Sequence, residues 1–188
     1  MSVDKLSVRE KEELLRLARE ALESHMLRGI KLRKQPSSPA LSEPRAAFVG
    51  LHVGKHLRGC VGSFDATRPL YETVVEMTQA AASHDQRFSP VSAAEISKIE
   101  IEISVLGPFL TVTDPSEITI GRHGLVITQG RRRGVLLPQV ATEYGWNVSE
   151  FLRQTCRKAG IAEDAWSQPD TTIQMFTAQV FSESRTRI

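Results

Sequence analysis

The chain has 188 residues, of which 40% are hydrophobic and 24% charged, and a formal net charge of +2. That length buries one sizeable core and hardly two independent ones, and so small a charge excludes any argument from charge alone for a nucleic-acid or membrane partner. No apolar run approaches a membrane span, and two cysteines without a CxxC pair exclude a disulfide framework and a cysteine-built zinc site.

Residues 7 to 28 read as an amphipathic helix rather than a secretory signal. Ser7 with Glu10 forms a capping box, Leu14, Ala18, Ala21, Leu22 and Met26 make one apolar face, and Gly29 supplies the stop. A loop carrying Pro36, Pro39 and Pro44 follows, and its composition fits a tether or a surface wrap equally. From Ala46 the pattern turns to strand: "AAFVGLHV", the pair Gly54-Lys55, then "HLRGCVG", which is a hairpin with a type II′ turn. Unbroken pairing sets Val53 against His56, Leu51 against Arg58, Gly50 against Gly59 and Val49 against Cys60. Alternation then gives Val49, Leu51, Val53, His56, Arg58 and Cys60 one face. The other face carries Phe48, His52, Leu57 and Val61 around a dent left by the facing glycines.

A helix is expected over residues 70 to 83, ended by "HDQRFSP". Ser92 with Glu95 makes a second capping box before a short helix, and "KIEIEISVL" alternates as a half-buried strand. "FLTVT", "ITIGRHGLVIT" and "RGVLLP" read as strands, the last two joined by the basic turn "QGRRRG". "PQVATEYGW" is a short helix, Asn147 opens a longer one that Gly160 closes, and a final strand runs from Thr172 to Ser182. Antiparallel hairpins with scattered helices and no regular βαβ alternation define an α+β fold.

Several of these stretches, in order, resemble the AMMECR domain family, also called the AmmeMemoRadiSam system protein A. They are "FVGLHVGKHLRGCVGSF", "HDQRFSPVSAAEISKIEIEISVL", "IGRHGLVI", "GVLLPQVATEYGW" and "FLRQTCRKAG". The resemblance implies a two-lobed α+β domain of antiparallel sheets flanked by helices. It also implies two partners, a Memo-like protein and a radical S-adenosylmethionine protein, and it implies no catalytic mechanism. The organisation expected is a helix and proline-rich loop over residues 1–45, packing on an AMMECR-type domain over 46–188.

The candidate site residues cluster around the first hairpin. Cys60 is a nucleophile or redox thiol if Arg58, about 7 Å away along one strand face, lowers its pKa. Otherwise it is a small buried hydrophobe, with Arg58 tying a carboxylate such as Asp85 to the sheet. In "HDQRF", His84 or Asp85 moves protons while Arg87 holds an anion, or Asp85 and Arg87 fix a helix exit. His123, before a glycine, is a reachable imidazole or a turn histidine. Gly59 lets a ligand approach the backbone, and Gln139 orients one through its amide. No histidine spacing suggests a metal site, and the sequence leaves any cofactor unknown. The expected protein is cytoplasmic, with a polar cleft around the LRGC hairpin. Its function is that of an enzyme or catalytic accessory, or of a non-catalytic module recruiting the same partners. RNA contact through Arg131, Arg132 and Arg133 is the remaining alternative, without the interleaved aromatics that a single-strand surface uses.

Overall fold

The computed structural model describes residues 5–186, which divide into two compact units, residues 5–106 with 179–186, and residues 107–178. Both are built from antiparallel strands and helices, so the fold is α+β.

In the first unit α1 spans Val8–Arg28, opened by the Ser7/Glu10 capping box and closed at Gly29 in the left-handed conformation. Its Leu14, Leu15, Ala18 and Leu22 enter the main core with Val49 and Leu51 of β1 (Ala47–Val53) and Ile101 and Ile103 of β3 (Ile99–Leu106). Arg19 on α1 donates to the carbonyls of Ile96 (3.0 Å) and Ile99 (2.6 Å) and pairs with Glu183. The proline-rich loop is a wrap. Ser37 N–H donates to Glu13 at 2.6 Å, Ser38 Oγ to Glu10 at 2.7 Å, and Leu41 is fully buried. A tether would have left these carboxylates to water.

β2 (His56–Ser63) is an edge strand beside β1, and β3 lies on β1's other side. The hairpin forms with Gly54 at φ +60°, but its register is not the unbroken one that alternation predicts. Val53 opposes His56 and His52 opposes Leu57. The ladder then slips, so that Leu51 opposes Gly59, Gly50 opposes Cys60 and Phe48 opposes Gly62. Arg58 is the extra residue of a β-bulge. The facing-glycine dent therefore does not exist. Gly59 serves a different end: a Cβ there would lie 2.2 Å from the carbonyl oxygen of Ala81 on α2 (Leu70–Ser83), so the glycine admits the helix backbone. Gly62 lies beneath the Phe48 ring.

The second unit contains the first part of β7 (Thr171–Ser182), which pairs with β4 (Leu110–Thr111) and β5 (His123–Gln129); β6 (Arg132–Leu136) pairs with β5. The expected strand "FLTVT" shrinks to two residues, and after it Val112 N–H bonds the Ile173 carbonyl outside any ladder. α3 (Pro138–Glu143) and α4 (Val148–Ala159) complete the unit, and a single turn, α5 (Glu183–Thr186), follows β7 in the first. Leu125, Ile127, Phe151, Leu152 and Cys156 form the second core, with Trp146 and Trp166 packed against it. The described helices include none long and apolar enough to cross a membrane.

Candidate functional site

Five of the residues singled out from the sequence meet along β2: Arg58, Gly59, Cys60, Asp85 and Arg87. The bulge decides what each can do. Arg58, released from the ladder, donates to Glu95 (2.7 and 3.3 Å) and to the carbonyls of Ser89 (2.8 Å) and Pro90 (3.2 Å). The carboxylate tied to the sheet by Arg58 is Glu95, not Asp85. Glu95 also accepts from Ser92 N–H at 2.8 Å, closing the capping box of the Ala93–Lys98 turn of 3-10 helix. These bonds, those of Arg58 first, hold the Glu95 carboxyl down at about 2.

Asp85 and Arg87 dress the strand edge. The Asp85 carboxylate accepts the Cys60 N–H at 2.8 Å, and Arg87 donates to the Cys60 carbonyl at 3.2 Å and back to Asp85 at 2.7 and 2.9 Å. The two side chains take the place of a neighbouring strand at one residue, the kind of protection an unpaired edge needs. Arg87 foremost holds the Asp85 carboxyl far below the ordinary carboxylate range. At neutral pH Asp85 is thus a charged acceptor with its oxygens occupied.

The slip also moves Cys60. It shares a row with Gly50 and Glu102, which are cross-strand partners on β1 and β3, and not the apolar face of Val49 and Leu51. Cys60 is half-buried. Burial pushes its thiol up, Arg87 pulls it back, and Asp85 and Glu102 add to the rise, so the sulfur is protonated at neutral pH. Alternation along the intact parts of the strands gives this face His52 and Phe48 too.

His52 is the residue that sequence reasoning missed, because the unbroken register puts it on the opposite face from Cys60. Its Nε2 lies 3.0 Å from where a Gly50 Cβ would stand. Directly opposed Cβ positions are about 4.5–5.5 Å apart. Together these bound the distance from Nε2 to the Cys60 Cβ at about 8.5 Å, so the two groups share a face without a direct hydrogen bond. Phe48, in edge contact with Phe64 (centroids 4.8 Å apart), forms an apolar wall beside the row. Thiol, imidazole and carboxylate on one half-buried face are the parts of a covalent catalyst activated by a base. A glycine among strand residues was the available signal, since it marks bulges as often as close approaches.

His123 and Gln139 belong to the second unit. His123 opens β5 and its Nδ1 accepts the Thr119 N–H at 3.1 Å, while burial and then Arg122 lower its pKa. It makes the local bond of a turn histidine. Gln139 sits half-buried in the first turn of α3. In the basic turn, Arg132 donates to the Gly160 carbonyl at 2.5 Å, capping the end of α4. Among the described residues no group of three or more His, Cys, Asp or Glu side chains gathers as metal ligands do.

A two-unit α+β chain whose bulged edge strand carries a half-buried thiol is the class these features define. The AMMECR1 family pattern matches residues 15–181, and the chain belongs to that family. It is 43% identical over 189 residues to the protein MK0488 of Methanopyrus kandleri, covering 96% of this chain and 91% of that protein. It is 40% identical to the protein MJ0810 of Methanocaldococcus jannaschii, covering 92% and 90%. The crystal structure of the uncharacterized protein PH0010 from Pyrococcus horikoshii superposes with a TM-score of 0.86 at 37% identity, covering 93% of this chain and 91% of that one.

Proposed function

We propose that this chain is an enzyme, or the catalytic accessory of one, whose chemistry turns on the Cys60 thiol. The observation that carries the reading is the row Cys60–Gly50–Glu102 with the His52 imidazole over the vacant side-chain position of Gly50. The thiol rests protonated. His52 takes the proton as the sulfur's electron pair forms a bond to a carbonyl carbon and the carbonyl π pair moves onto its oxygen, and Glu100, opposite His52 on β3, steadies the imidazolium. The Asp85–Arg87 clamp fixes the Cys60 backbone, and the Arg58–Glu95 anchor fixes the bulge that turns the thiol to this face. A Memo-like protein and a radical S-adenosylmethionine protein are the proposed partners, with a small molecule or a modified macromolecule as substrate; their support is the resemblance alone.

One observation favours a second reading, a non-catalytic module that recruits those partners. Arg58, Asp85 and Arg87 all satisfy their charge inside the fold. Iodoacetamide labelling of the full chain against pH separates the two, with peptide mass spectrometry distinguishing Cys60 from the fully buried Cys156. The catalytic reading expects Cys60 to label at neutral pH at a rate that His52→Gln lowers by about tenfold or more. No labelling of Cys60 below pH 9, or a profile that His52→Gln leaves unchanged, hands the case to the module.

A further inference from the structure

We infer that a second site, distinct from the thiol row, binds a small phosphate-bearing molecule with a flat apolar body, of which a nucleotide is the test case. The site is a concavity of about 400 Å³ in the first unit, bordered by the segment from Lys31 to Gln35 and by Arg68, Tyr71, Glu72 and Val75. That volume suits one small ligand.

The chain builds it in a definite way. Gly29 ends α1 in the left-handed conformation, and the residues beyond it leave the helix without forming a strand. Leu32 then packs on Leu17, Ala21 and Val75 with Tyr71, which pins the segment across the two helices. The residues either side of Leu32 are Lys31 and Arg33, both exposed. The result is an apolar floor with an aromatic ring, rimmed by cations.

The charges on that rim are unequally paired. Lys34 is bonded to Glu20 at 2.8 Å, and Arg68 to Glu76 and, at 3.7 Å, Glu72. Lys31 and Arg33 have no hydrogen-bonded or ionic partner among the described residues. Four cations therefore face one lining carboxylate, and two of the four are uncommitted. Arginine and lysine so placed suit phosphate oxygens, which accept several charge-assisted hydrogen bonds at once. Tyr71 supplies a face for a planar group. A single ring offers no row for successive bases, which points to one small molecule and not to a single-stranded nucleic acid.

A separate observation lies one helical turn further on. Tyr71, Val75 and Gln79 share a stripe of α2 at four-residue spacing, and the Gln79 Nε2 is buried without a hydrogen-bond partner. Buried donors left unpaired are uncommon in native folds and call for an explanation. Gln79 does not border the concavity itself; its unpaired donor lies in the buried layer one turn beyond the floor.

Titration calorimetry on the full chain with ATP, adenosine and inorganic phosphate tests the assignment. ATP is expected to bind more tightly than either fragment, and added salt to weaken it. The double substitution Lys31→Ser with Arg33→Ser is expected to weaken it by about tenfold or more, with the melting temperature unchanged because both side chains are exposed. Tyr71→Leu is expected to weaken ATP and adenosine together while sparing inorganic phosphate. No heat with millimolar ATP, or an affinity that the double substitution leaves intact, overturns the proposal. Should the double variant melt early, the single change Arg33→Gln takes its place: weaker ATP binding supports the site, and unchanged binding overturns it. None of these substitutions touches the thiol row, so the two sites stand or fall separately.

Discussion

The two edge strands, β2 in the first unit and β6 in the second, use one packing device for different ends. Each carries a glycine where a helix backbone comes down onto the sheet: Gly59 under the carbonyl of Ala81, and Gly134 under the amide of Ala159 and the carbonyl of Thr155. A Cβ at Gly134 would stand 2.4 Å from both of those backbone atoms. Around β6 the polar residues serve the helix, with Arg132 on the carbonyl that closes α4. Around β2 they serve the strand. Arg58 leaves the ladder to hold Glu95, and Asp85 with Arg87 cover both backbone groups of Cys60. Bonds concentrated on one residue's backbone are what positioning a side chain requires.

Breaking the shared device gives the largest expected effects. Gly134→Ala meets three backbone atoms within 2.8 Å and cannot be relieved by a rotamer change. A loss of about 3 kcal/mol is expected in urea unfolding, at the upper end for overpacking. Gly59→Ala meets one backbone oxygen at 2.2 Å, with the next atom at 3.2 Å. About 2 kcal/mol is expected there, because a small shift of α2 relieves a single contact. Midpoints unchanged in both variants would mean that the helices do not rest on the strands as closely as these distances require.

Next in size is Arg58→Ala, which strips Glu95 of its cation and two carbonyls of their donor. The guanidinium side chain is only 16% exposed, so the expected cost is about 2 kcal/mol. The pH dependence identifies the pair. Since the folded carboxyl of Glu95 lies at about 2, below its ordinary 4.5, folding favours the charged form. Its contribution is complete above about pH 4.5 and disappears as the pH falls towards 2. Urea titrations across that window should show wild type losing stability more steeply than Arg58→Ala. Parallel curves would exclude Glu95 as the partner.

How much of this was legible in the sequence follows the same division. Helix limits were, because capping at Ser7 and Asn147 and stops at Gly29 and Gly160 are local chemistry that the chain spells out residue by residue. The strand β3 and the hairpin turn were as well, whereas β5 begins at His123, five residues later than the pattern from Ile118 suggests. The bulge was not, since counting alternate residues assumes that no residue is extra, and one slip carried Cys60 from the core face to the face of His52. Glu95 was hidden for another reason. It already satisfied a capping box with Ser92, yet a carboxylate has lone pairs enough for Arg58 as well. The free cations of the 31–35 segment were hidden by distance, because the sequence does not say which side of α2 the loop will cross.

The smallest effect belongs to the second unit. Arg132 is exposed and its bond to the Gly160 carbonyl closes a helix that already ends in a left-handed glycine, with Gly160 N–H on Arg157 and Cys156. Arg132→Ala is therefore expected to cost about 0.5 kcal/mol, the ordinary value of a cation at a solvated helix C-terminus, and less at high salt. Measured beside Arg58→Ala, it tests the contrast directly. Two arginines each donate to backbone carbonyls from an edge strand, but only the one at the bulge is shielded from water and joined to a carboxylate. Equal losses from the two substitutions would show that the bulge of β2 is no better anchored than the turn of β6, and the argument for a specially positioned Cys60 would go with it.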